Sequence, residues 1–308
     1  MNRIIKFVGL GLLLVLVSAD DPATTEKRAP MVTPYVRALR TAVERAQSAL
    51  ERTRDLWQDH STWENAWQVR SGPYNIRTTH SRKLGLSLGR SLETILEEFK
   101  FVLKPDFTTR GPLNVYIYPA LAQYNTFGND NGEHHSSLYG SFYADTHEEG
   151  TVAVLYDIND TLLVMFATHS ALHQFIDKAF TSTPPTWISE GLASYYSFRW
   201  AYSWGVSQLK ELIDTNRYIP LAQVMRASIE DYGDNAHAYF TELGMFFYYL
   251  LDYREDTWIT EENEGACAAY LRAILGGANP SQLPFHEMIT QRLDQLEADF
   301  KAFSFPAQ

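Results

Sequence analysis

The chain has 308 residues, is 45% hydrophobic and 14% aromatic, and carries a formal net charge of −11 at pH 7. That length and apolar content suit one large domain or a core domain with helical additions. Acidity spread along the chain argues against nucleic acid and anionic membrane surfaces as partners. The single cysteine, Cys267, excludes an intramolecular disulfide and reads as a small buried apolar residue rather than a nucleophile.

In chain order, residues 1–19 read as a signal peptide. Arg3 and Lys6 precede or edge an apolar run over 7–17, and Val17-Ser18-Ala19 fits a small-residue cleavage site. The run is about half a bilayer span, so no membrane anchor is expected after cleavage, and no cysteine follows Ala19 to carry a lipid. The expectation is an exported protein, periplasmic or extracellular, of about 289 residues with a charge near −13 once Arg3 and Lys6 are lost.

Residues 20–34 are polar and proline-bearing, a flexible leader. Over 36–57 apolar residues recur at helical spacing among Arg and Glu, predicting an amphipathic helix within an N-terminal segment, 35–66. The stretch WQVRSGPYNIRTT, 67–79, predicts a hairpin turned at Ser71, Gly72 and Pro73, followed by a helix over 84–102. LNVYIY, 113–118, alternates like a strand, and FYAD and TVAVLYD predict two more joined by the polar turn THEEG. From 161 the pattern is helical: 161–179, 187–198 behind Pro184 and Pro185, 236–251, 262–275 and 285–300. Strands first and helices second predict an α+β fold, a small mixed sheet followed by a mostly helical half.

Within the first of those late helices, residues 168–174 read THSALHQ. His169 and His173 stand four apart, hence on one helical face with a rise of about 6 Å, so two imidazoles can converge on one metal ion. The pair alone says little, because chance supplies about one such pair in every four chains of this histidine content. The next helix, TWISEGLASYY, places Glu190 seventeen residues past His173.

Taken together, THSALHQF and PPTWISEGLASYYS resemble the core of gluzincin zinc metallopeptidases, in particular peptidase-MA-like domains of unknown function. Their pattern is His-Glu-x-x-His-Gln and then a proline-led Trp-x-x-Glu-Gly-Leu-Ala-x-Tyr. GSFYADTHEEGTVAVLYD, YNIRTTH and LNVYIY resemble that family's earlier strands. The resemblance implies a gluzincin domain over 67–251 with a C-terminal helical extension, 252–308, and one zinc ion held by His169, His173 and Glu190. Two imidazoles and a carboxylate would leave a fourth position for water. Gln174 matches the residue that often follows the second histidine. The resemblance also makes Tyr239 a candidate oxyanion stabiliser, against a plain core role in an aromatic-rich helix.

Ser170 is the departure, because it stands where the family carries its glutamate. That carboxylate takes a proton from the metal-bound water and passes it to the leaving group, which a serine hydroxyl cannot do near neutral pH. Three readings follow: a pseudopeptidase binding zinc and a peptide or protein partner; an active hydrolase with a substitute carboxylate, for which Glu148, Glu149 and Glu242 are candidates; or a metal-free structural or binding domain. If serine is the sole lesion, Ser170→Glu alone should recover part of the ~10²–10⁴-fold that a positioned base supplies. His134 and His135, in a polar loop, read as surface residues, and His237 faces away from Tyr239 on its helix.

Overall fold

The computed structural model describes residues 41–43, 45–46, 59–103, 112–131, 140–145, 150–155, 160–180, 182–253, 266–303 and 305. The chain divides into two compact units, Met1–Asp59 and His60–Gln308. Of the helix expected over 36–57, residues 41–43 and 45–46 are described and are helical; the signal peptide, the leader, Glu148, Glu149, His134 and His135 lie outside the described residues.

The second unit opens with the expected hairpin, β1 (Trp67–Ser71) and β2 (Tyr74–Thr78), paired antiparallel with Gly72 at φ 51° in the turn. A 22-residue helix, α1 (Arg82–Leu103), leads to β3 (Leu113–Tyr118), which lies parallel to β2. Leu84, Leu88, Leu92, Ile95, Phe99 and Leu103 recur at three- and four-residue steps in α1 and are all buried, so one apolar stripe explains the helix and its packing. A helix that the apolar pattern did not announce, α2 (Leu121–Asp130), follows. Then β4 (Ser141–Ala144) and β5 (Thr151–Leu155) form the second expected antiparallel pair, with β5 parallel to β3. The order β1-β2-β3-β5-β4 makes a five-stranded mixed sheet with β4 as one terminal strand.

The remainder is helical: α3 (Asp160–Ala179), α4 (Thr186–Phe198), α5 (Tyr202–Asp214), α6 (Leu221–Val224), α7 (Ile229–Tyr232), α8 (Ala236–Tyr248) and, past a π-helical turn at Tyr249–Tyr253, α9 (Ala266–Leu275), α10 (Pro284–Gln291) and α11 (Leu293–Ala302). The α+β expectation therefore holds in its broad form. The single helix expected over 285–300 is two, because the backbone at Arg292 leaves the helical region at φ −121°, ψ 23°. Among the described residues no helix is long and apolar enough to cross a membrane.

The sheet is buried on both faces. Val115, Ile117, Val152 and Val154 join the main core under the helices, whereas Tyr116, Tyr118, Ala153 and Leu155 form a smaller core with Tyr124 and Phe142. This two-sided burial is why TVAVL reads as a continuous apolar run rather than an alternating one. At the centre of the helical half α4 and α8 are buried almost all round, through Tyr195, Tyr196, Phe246, Phe247 and Tyr248 among others. The C-terminal helices share that core through Leu271, Ile289, Leu296 and Phe300.

One carboxyl sits inside it. Glu242 on α8 is fully buried; one oxygen accepts from Ile219 N at 2.8 Å and the other has no hydrogen-bond partner. Burial pushes its pKa up to about 8, the Ile219 amide opposing, Glu297 adding to the rise and Lys301 opposing it. The unfolded chain releases this proton near 4.5, so between that pH and about 8 the folded state holds more protons and stability falls as pH rises. Wild type should therefore lose on the order of 3 kcal/mol from pH 5 to pH 8 through this group. Glu242→Gln should flatten that part of the profile, measured by urea unfolding across the range; parallel profiles would remove Glu242 as its source.

Candidate metal centre

The site is built where α4 crosses α3. The run of Leu163, Ala167, Ala171, Leu172, Phe175 and Ile176 buries one side of α3 and leaves His169 and His173 half-buried together on another. Pro184 and Pro185 end the preceding loop, and Ile188 N and Ser189 N bond Pro185 O at 2.9 and 3.1 Å to start α4. Gly191 follows Glu190 because α8 presses there: a β-carbon at 191 would lie 2.2 Å from the Phe247 ring. That close approach fixes the depth at which Glu190 meets the histidines.

Glu190 Oε2 lies 3.2 Å from His169 Nε2 and 3.3 Å from His173 Nε2, and the two Nε2 atoms are 3.3 Å apart. Despite these distances Glu190 Oε2 is buried without a well-formed hydrogen bond. A tetrahedral ion bonded at about 2.0–2.1 Å would space its ligand atoms by about 3.3 Å, so the three contacts match the edges of such a polyhedron. The residues present thus fit a metal ion, with two nitrogens and one oxygen grouped within 4.8 Å.

Electrostatics agree with that use. Burial lowers the His169 pKa more than Glu190 raises it, favouring the neutral ring that a metal requires. For His173 burial also lowers, but the nearby charge of Glu190 outweighs it and the net shift is upward. Burial alone would raise Glu190; the two imidazoles overcome it and hold the carboxyl far below its ordinary range.

Around the three donors, His173 Nδ1 lies 3.0 Å from Ser189 Oγ, a hydroxyl that can accept a hydrogen bond from Nδ1–H and so leave the Nε2 lone pair free to bind. Gln174 does not touch the donors: its Nε2 donates to Asn114 O and Gly150 O at 3.0 and 3.1 Å, pinning α3 to the sheet. Ser170 is buried, 2.8 Å from Ser141 Oγ on β4. Tyr239 is buried behind Tyr232, their rings stacked at 4.2 Å, and its hydroxyl accepts a long contact from Gln223 at 3.4 Å. Glu242 turns to Ile219, and His237 meets Gln208 at 2.8 Å. Burial holds the Cys267 thiol well above its ordinary range, consistent with an apolar core role.

Tyr232 was not legible as a site residue. Its hydroxyl is buried without a hydrogen-bond partner, and burial followed by the charge of Glu190 raises its pKa. Phe240 contacts both the His169 ring, at 5.1 Å, and the Tyr232 ring, at 5.6 Å. The only local signal is SIED, in which Asp231 accepts from Ser228 N at 2.8 Å and starts the short helix α7. No family model matches the chain, and no curated protein matches it.

Ser189→Ala removes the support of His173 and should weaken metal binding about 10- to 100-fold with the fold intact. A competition titration against a chromogenic chelator reads this directly, and unchanged affinity would show that Ser189 does not set the ring.

Proposed function

We propose that the protein is an exported, gluzincin-like zinc-binding pseudopeptidase that holds one zinc ion on His169, His173 and Glu190 and engages a peptide or protein partner. The observation that carries this is the set of three donor contacts at 3.2–3.3 Å among partly buried side chains. Two nitrogens and a carboxylate oxygen are a zinc-like donor set that leaves a coordination position open. The mixed sheet ahead of the histidine helix supports the gluzincin-like part of the reading.

When bound, zinc would lower the pKa of its water toward about 7. What the chain lacks is a group to take and return the proton. Ser170 is neutral and turned to Ser141, and Glu242, the one described candidate for a substitute base, is turned to Ile219. Peptide hydrolysis suffers most, since the leaving amine must be protonated. Binding is spared: β4 ends the described sheet beside α3, and a terminal strand can accept an extended peptide.

Mature protein purified without added metal should carry near one zinc per chain by elemental analysis, and His173→Ala or Glu190→Ala should each strip it. Cleavage of unfolded casein should be negligible. No zinc even after reconstitution near neutral pH would overturn the metal reading, and robust chelator-sensitive proteolysis would overturn the pseudopeptidase reading.

A further inference from the structure

Twenty-nine residues separate Ser141 from Ser170, yet their hydroxyls meet at 2.8 Å in a buried contact. Its direction is fixed. Ser141 Oγ lies 2.7 Å from Phe166 O, a carbonyl that can only accept, so the Ser141 proton goes there. Ser141 Oγ must then accept from Ser170. The chain Ser170 to Ser141 to Phe166 O satisfies both hydroxyls, which are 2% and 6% exposed by residue.

The neighbouring backbone is equally tight. Gly140, at φ 67°, packs so closely on the Phe166 ring that a β-carbon there would lie 2.9 Å from it, and its carbonyl accepts from Leu155 N at 2.8 Å. Further along β4, Tyr143 OH donates to Asp177 at 2.7 Å, so the strand is tied to α3 on either side of the metal-ligand turn.

We propose that Ser141 and Ser170 are a matched pair, a hydroxyl clip that seats the terminal strand β4 on the ligand helix in the space a general base would need, so that two residues and not one disable the site. This rests on reading His169, His173 and Glu190 as the metal centre. A glutamate at 170 in the same rotamer would put its γ-carbon where Ser170 Oγ stands, 2.8 Å from Ser141 Oγ. That is well inside the ~3.5 Å at which non-bonded heavy atoms are comfortable. Its carboxylate would also enter a buried place that offers one hydroxyl already committed to Phe166 O. Ser141 is accordingly a positioning residue: it touches no metal donor, yet it decides what position 170 can hold.

The test uses the full mature chain, metal-free and zinc-loaded. Thermal unfolding of metal-free Ser141→Ala, Ser170→Ala and the double variant should show each single change lowering the midpoint by about 3–8 °C, with the double little worse than either. Additive losses would overturn the clip. Ser170→Glu alone should be less stable than wild type and stay near background on casein, with zinc content unchanged. Adding Ser141→Gly should restore part of the midpoint and raise hydrolysis at least tenfold over Ser170→Glu. Ser170→Glu as stable as wild type, or no less active than that double variant, would overturn the disabling role. Should Ser141→Gly impair folding, Ser141→Ala with Ser170→Glu answers the same question. Absence of zinc from every variant and from wild type would fail the metal reading alone, because the metal-free cycle still decides the clip.

Discussion

Three electron-pair donors are forced to within 3.3 Å of one another inside the protein, and the helical half is arranged around that crowding. Two imidazoles and a carboxylate gain little by facing each other unless a positive charge lies between them. The Glu190 carboxylate pulls the His173 pKa upward, whereas at His169 burial outweighs that pull and the shift is downward. Holding the group costs backbone precision: α8 must lie so close to α4 that only glycine fits at 191, and Gln174 must bridge β3 and the residue that precedes β5 to fix α3.

The residue types of the cluster were legible, because helical spacing carries His169 and His173 to one face and the proline-led start of α4 announces where Glu190 begins. The strands were legible too, from two turn signals and one alternating run. Other features were hidden for physical reasons. Ser141 and Ser170 meet through strand pairing and helix docking, a contact of separation 29 that no local pattern encodes. Tyr239 and Tyr232 stack face to face, so a reading along one helix picks the first and misses the second, whose hydroxyl is the one coupled to Glu190. The helix over 285–300 looked continuous because its apolar spacing survives the break at Arg292.

Glu242 shows why a carboxylate near a site in sequence is a poor guide to its use. One helical turn from Tyr239 it counts as a nearby acid; in three dimensions it is an interior group whose neighbours are Ile219 N, Glu297 and Lys301. Burial and hydrogen bonding, not chain distance, decide whether an acid can exchange protons with a substrate. The same distinction applies to the aromatic content. In α4, α8 and the second face of the sheet large rings fill space between closely set backbones, whereas Phe240 packs on the His169 ring and Tyr232 feels the charge of Glu190.

Serine at 170 is consistent with this geometry in a way that a simple loss would not be. A carboxylate removed from a cleft built to hold it leaves a cavity and stranded polar partners, both of which destabilise. Here the place is filled: the Ser170 hydroxyl has its acceptor, that acceptor has its own, and Gly140 packs tightly on the Phe166 ring. Glu190 and Ser189 meet the two histidines from α4, whereas Ser170 is held from β4. The contacts at the three donors and the contact at position 170 are thus made by different elements, so either set can change without the other.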